Sequence, residues 1–265
     1  MSGIGLTVAE IKAKLSSADA HELSVLERSL VADTRKGVKS ALAAARRRVD
    51  AQEAECVRLQ SMYDFERTLA GARGAKVIVG LDEVGRGPLA GPLAVGAVVL
   101  PREPLIAGLN DSKQVKPESR ERIAAEIKQY ALAWKVCYIE PRDIDTYGMS
   151  ASLRQAFSRA VAEIEASGIK IDLILLDGNP LHMDKREVNV IKGDGKCASI
   201  AAASIVAKVK RDALMCELAK TYPEYGFADN KGYASAAHIQ AIKEHGLSPV
   251  HRVSFCTAFT QPTLF

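Results

Sequence analysis

Hydrophobic positions change texture near residue 76. Before it, small and aliphatic residues are interspersed with Glu, Lys and Arg, with no proline and few aromatics, a mixture that favours helix. Thr7-Val8-Ala9-Glu10 has the form of a capping box opening the first helix. A second is expected from about residue 20 and a third over about 36–69, with Gly71-Ala72-Arg73-Gly74 as a linker. From Val77 the apolar residues run together. Val77-Ile78-Val79-Gly80-Leu81 predicts a buried strand that starts near Lys76 and ends in two acids, Asp82 and Glu83. Further strands are expected over 93–100, 134–139, 171–177 and 187–191. Between and after them, helices are expected over 117–131, 149–167, 198–220 and 234–245, with a loop at Pro141 and an irregular chain beyond Pro249. Strands interleaved with helices predict an α/β fold in which helices cover a central sheet. The expected division is a helical accessory region over 1–72, a main domain over 73–255 and a flexible tail over 256–265.

Length and composition narrow the class. A chain of 265 residues is long enough for a full core and an appendage. The net charge of +4 permits a polyanionic partner without requiring one. Five scattered cysteines, Cys56, Cys137, Cys197, Cys216 and Cys256, contain no C-x-x-C pair. A disulfide framework or zinc site is therefore not expected, and a reducing, cytoplasmic setting is. The N-terminus lacks the pattern of a signal peptide, and no window has the apolar length of a membrane span. Between Asp33 and Asp50 every charge is basic (Arg35, Lys36, Lys39, Arg46, Arg47, Arg48). That run reads either as a solvated helix face or as a phosphate-facing patch.

Candidate chemistry gathers at strand ends. Asp82 and Glu83 close the first strand, Asp177 closes another, and Asp194 lies in the glycine-flanked loop Lys192-Gly193-Asp194-Gly195-Lys196. Converging carboxylates repel one another unless cations lie between them. Two divalent ions about 4 Å apart would neutralise such a cluster and clamp a phosphodiester. Taken alone, Asp177 before Gly178-Asn179-Pro180 is an ordinary turn former, and adjacent Asp82 and Glu83 should point to opposite faces of their strand. Asp212 competes with Asp194 for the fourth place, although Lys208, four residues earlier, offers it an intrahelical ion pair. The loop after Glu83 is no dinucleotide fingerprint, because Pro88 and Pro92 interrupt it. Gly193-Asp194-Gly195-Lys196 is no P-loop either, since position 190 is Val and position 197 is Cys.

The segment Gly80-Leu81-Asp82-Glu83-Val84-Gly85-Arg86-Gly87-Pro88-Leu89-Ala90-Gly91-Pro92 resembles the signature of bacterial ribonuclease HII. The likeness continues over about residues 62–255, through Lys192-Gly193-Asp194, Tyr225-Gly226-Phe227, Lys231-Gly232-Tyr233 and His251-Arg252-Val253-Ser254-Phe255. Small departures occur at Gly195, Cys197 and Ala234-Ser235. The resemblance implies a ribonuclease H-like fold, a five-stranded mixed sheet flanked by helices, with an N-terminal helical extension found in some members. It implies an endoribonuclease that uses two Mg²⁺ or Mn²⁺ ions held by Asp82, Glu83, Asp177 and Asp194, with Asp194 favoured over Asp212. Its substrates would be RNA–DNA hybrids and duplex DNA containing ribonucleotides, cut 5′ of a ribonucleotide to leave 5′-phosphate and 3′-hydroxyl ends. Gly85, Arg86 and Gly87 would read the 2′-hydroxyl and Tyr233 would pack on the adjoining deoxyribose. Asn110 and Lys113 would contact phosphate, with Lys208 a further candidate. The last residues, Gln261-Pro262-Thr263-Leu264-Phe265, resemble the Q-x-x-L-F peptide that docks on the bacterial sliding clamp, with Gln261, Leu264 and Phe265 as its anchors. A monomer is expected.

Overall fold

The computed structural model describes residues 5–260. The chain forms two compact units, one up to Arg58 and one from Leu59 onward. The first contains α1 (Val8–Ser17), α2 (Ala20–Ser29) and the first turns of α3 (Lys36–Gly71). Both short helices begin with capping boxes, Thr7 with Glu10 and Asp19 with Glu22, which satisfy amides that have no partner within the helix. Their core is Ile11, Leu15, Leu23, Leu30, Val38 and Val49. Half of the basic run is used inside this unit. Arg35 pairs with Asp33, Arg46 with Glu27, and Arg48 donates to the carbonyls of Leu15 and Ala18. Lys36, Lys39 and Arg47 remain exposed. The expected boundary near residue 72 coincides with the end of α3, whereas packing changes earlier, because Leu59, Met62 and Tyr63 belong to the second unit's core.

That second unit is built on a five-stranded sheet of order β3-β2-β1-β4-β5, with β1 (Ile78–Val84), β2 (Leu93–Val99), β3 (Ala133–Ile139), β4 (Leu173–Asp177) and β5 (Glu187–Val190). β1–β2 and β2–β3 are antiparallel, while β1–β4 and β4–β5 are parallel, so the sheet is mixed as expected. Alternate residues supply its two faces. Val79, Leu81, Val95 and Ala97 pack against α6 (Met149–Ala166) through Leu153, Phe157 and Ile164. The other face meets α7 (Ala198–Thr221) and α4 (Pro117–Tyr130). α7 is buried over its first ten residues and approaches the sheet without side chains between. A Cβ on Gly80 would lie 2.1 Å from the Ser199 carbonyl carbon, and one on Gly96 2.2 Å from the Ala203 oxygen. Glycine within these strands marks that backbone contact.

Two elements correct the reading of the sequence. The loop expected at Pro141 is the helix α5 (Pro141–Tyr147), with proline in its first turn. Part of the irregular chain expected beyond Pro249, including residues 256–260 of the expected flexible tail, is the helix α10 (Val253–Thr260), in which Cys256 is fully buried. Asp145 on α5 accepts from the amides of Val253 and Ser254 at 2.8 and 3.0 Å. A cap supplied from more than 100 residues away leaves no local signal. Two further helices, α8 (Phe227–Asn230) and α9 (Ala236–His245), complete the unit. Among the described residues no helix is long and apolar enough to cross a membrane.

Candidate active site

The parallel register explains how distant acids meet. β1 and β4 pair as far as Leu81 with Leu176, so Asp82 and Asp177 are the next residues on adjacent strands running the same way. β4 pairs with β5 up to Asp177 and Val190, and β5 leads into a 3₁₀ turn, Gly193–Gly195, that presents Asp194. Gly193 N–H donates to Asp177 Oδ1 at 2.6 Å, and a Cβ there would collide with Ile200. Asp82, Glu83, Asp177 and Asp194 consequently line one cleft with Lys113, Lys208, Tyr233 and the Gly85-Arg86-Gly87 loop. Carboxyl ends of neighbouring parallel strands are a recurrent place for ligands.

Burial and mutual repulsion govern the charges there. Asp82 is 6% exposed; burial, then the charges of Glu83 and Asp177, push its pKa well above the usual carboxylate range. Burial also raises Glu83, opposed by the Arg86 guanidinium 3.4 Å away. Asp194 is raised by burial and by Asp111 and Asp177. A donor set made only of carboxylate oxygens suits a hard divalent cation such as Mg²⁺ or Mn²⁺. Among the described residues no group of three or more His, Cys, Asp or Glu is arranged to hold a metal ion as it stands. The strand period accounts for this. Asp82 faces the α7 side, where it is hydrogen-bonded to Ser204, while Glu83 falls on the α6 side beside Leu153 and Phe157. One Asp177 oxygen is occupied by Gly193.

The glycine loop is held by two arginines with no exposed surface. Arg252 donates to the carbonyls of Gly85 (2.6 Å), Arg86 (3.0 Å) and Gly91 (2.8 Å). Arg211 donates to Pro92 (2.9 Å), Ala90 (3.2 Å) and Lys231 (2.9 Å). Gly85 has φ 88°, and a Cβ on it would sit 2.2 Å from Arg211 Nε, so both conformation and space require glycine. A second chain of contacts fixes Tyr233. His238 Nδ1 donates to the Tyr233 carbonyl at 2.8 Å, which leaves His238 Nε2 to accept from His251 Nε2 at 3.0 Å. His251 Nδ1 in turn accepts from the Ser248 amide at 3.0 Å. Both imidazoles are neutral in this arrangement, and burial pushes the pKa of His251 down to about 4.

Other expected residues separate. Lys113 and Lys208 reach the cleft. Asn110 does not line it; its side chain accepts from the Asp111 amide at 2.9 Å and stays within its own loop. Asp212 also lies outside the cleft, paired with Lys208 at 2.8 Å and Arg120 at 3.6 Å. Gln261, Leu264 and Phe265 lie outside the described residues. Sequence reasoning missed Ser204, whose hydroxyl meets Ser112 at 2.9 Å, and the structural weight of Arg211 and Arg252.

Comparison with known proteins places the chain in a family. The family described as Ribonuclease HII matches residues 79–258, and its N-terminal domain matches residues 7–70. The chain belongs to the ribonuclease HII family. It is 40% identical over 250 residues to a ribonuclease HII of Halalkalibacterium halodurans, covering 94% of each chain. It is 45% identical over 208 residues to one of Ruminiclostridium cellulolyticum, covering 78% of this chain and 80% of that one. The crystal structure of the ribonuclease H2 from Pyrococcus horikoshii OT3 superposes with a TM-score of 0.58 at 26% identity, over 71% of this chain and 100% of that one. The architecture is thus ribonuclease H-like, and the enzyme is an endoribonuclease of the class acting on RNA–DNA hybrids.

Proposed function

We propose that this ribonuclease HII is a divalent-metal-dependent endonuclease that cuts on the 5′ side of ribonucleotides, both in RNA–DNA hybrids and singly embedded in duplex DNA. The supporting observation is the shared cleft: four carboxylates from three neighbouring strand ends beside a glycine loop clamped by Arg211 and Arg252. Asp82, Glu83, Asp177 and Asp194 would hold the ions, with Asp82 as the bridge. When bound, two Mg²⁺ or Mn²⁺ ions supply the positive charge that stabilises a hydrolysing phosphodiester. The protein's own part is positioning. Lys113 and Lys208 approach phosphate oxygens, backbone groups of Gly85 and Gly87 with Arg86 read the 2′-hydroxyl as donor and acceptor, and Tyr233 packs on the following deoxyribose. No side chain acts as nucleophile. A hybrid-binding module without catalysis would be expected to lack one acid, and all four are present.

The test is cleavage of duplex DNA carrying one ribonucleotide, with Mg²⁺ or Mn²⁺, by the parent and by Asp82→Asn. The expected result is a cut 5′ of the ribonucleotide leaving a 3′-hydroxyl, and loss of cleavage in the variant; full activity in Asp82→Asn removes the assignment. The terminal Gln261-Leu264-Phe265 peptide is proposed to dock on a sliding clamp. Surface plasmon resonance with and without residues 261–265 decides it, equal signals counting against.

A further inference from the structure

Two clefts, not one, open at the acid edge of the sheet. Alternation along β1 sends Asp82 towards α7 and Glu83 towards α6, and each side has its own depression. The cleft on the α6 side, about 400 Å³ against about 230 Å³ for the other, shares Glu83, Arg86 and Asp177 with it and adds Ser150, Arg154 and His182. The three shared residues therefore form a ridge between the clefts. Its far wall suits a polyanion. Arg154 is exposed, and its neighbours at three and four positions along α6 are Ser150, Ala151, Phe157 and Ser158, none acidic. By contrast Arg159, on the same helix, pairs with Glu163. Ser150 lies in the first turn of α6, an 18-residue helix with no side chain capping its N-terminus, so amides there add to the field of Arg154.

We infer that this second cleft binds the nucleic-acid strand on the 5′ side of the cut, with Arg154 taking a backbone phosphate and His182 flanking the same segment. The inference rests on the proposed function for its polarity. If the glycine loop and Tyr233 hold the ribonucleotide and its 3′ neighbour in the α7-side cleft, the strand crossing the Glu83–Asp177 ridge is the one that leaves with the 3′-hydroxyl. The substrate is then gripped on both sides of the scissile phosphate.

The experiment compares duplexes carrying one ribonucleotide, with an upstream arm of either ten nucleotides or one, for the parent, Arg154→Ala and Arg154→Lys. For the long arm, Arg154→Ala is expected to raise KM by about tenfold, the order of one charge-assisted phosphate contact, with kcat within about twofold. Its log–log salt slope should fall by about one. Arg154→Lys should restore most of the affinity, and on the short arm all three proteins should agree. An unchanged KM on the long arm, or an equal loss on both arms, overturns the inference. A parent that cuts neither duplex beside the ribonucleotide refutes the proposed function instead, which keeps the two failures apart.

Discussion

The acid edge and the arginine clamp are two ways of burying charge, only about one loop apart. At the edge, burial and neighbouring carboxylates raise the pKa of Asp82 and Glu83, and the Arg86 guanidinium 3.4 Å from Glu83 only partly opposes this. In the clamp, burial also lowers the pKa of Arg211 and Arg252, yet each guanidinium meets several carbonyl oxygens at hydrogen-bond distance. Buried charge with its partners supplied by the fold is scaffold, whereas buried charge left waiting for a partner is a site. The contrast has a direct test, because removing a charge should have opposite consequences in the two places.

Asp82→Asn should lower kcat by at least about 10³-fold, or roughly 4 kcal/mol, yet leave the urea midpoint in EDTA equal to or above that of the parent. A lower midpoint would make the acid cluster part of the scaffold. Arg252→Ala should instead cost about 3–5 kcal/mol of stability, because the Gly85, Arg86 and Gly91 carbonyls lose their donor, and denaturant unfolding reads this directly. Histidine extends the comparison to pH. His251 is 3% exposed with a pKa lowered to about 4, so the unfolded chain binds its proton first on acidification. Its contribution is complete above about pH 6.5 and is lost as pH falls towards 4. The stability advantage of the parent over His251→Gln should therefore shrink by about 3 kcal/mol across that window.

The smallest effect concerns Glu66, which accepts from both the amide and the hydroxyl of Ser199 at 2.6 Å and so caps α7 from α3. Burial raises its pKa to about 7. The folded state then holds the proton more tightly, so stability drawn from the neutral acid is full below about pH 4.5 and declines as pH rises to 7. Glu66→Gln should gain about 2 kcal/mol at pH 8 and little at pH 5, measured as the difference in unfolding free energy; an equal change at both values would show that Glu66 does not titrate. The same contact bears on tests of the N-terminal region. Deletions should stop before Leu59, because Glu66 and Tyr63 belong to the catalytic unit.

Much of this was legible in the residues themselves. Continuous apolar runs marked β1, β2 and β4, and proline, glycine and caps marked the ends of most helices. Acids at the ends of those runs identified the edge, since strand direction alone brings Asp82 and Asp177 side by side. What escaped was non-local. Arg211 and Arg252 look like surface arginines until the carbonyls around them are known. α10 depends on Asp145, and the second cleft depends on which face of the sheet α6 covers. Asn110 was expected at the substrate because its loop resembles a phosphate-binding one, but the side chain bonds its own turn.

Gly80 and Gly96 carry no chemistry, yet they set the height at which α7 rests on the sheet. A methyl group at either would push Ser204 and Lys208 away from Asp82 by about an ångström, a displacement of the kind that costs an enzyme orders of magnitude in rate. The fine adjustment of the acids is therefore entrusted to two absent side chains, one two residues before Asp82 and the other paired directly across from it, both turned to the helix and away from any ligand.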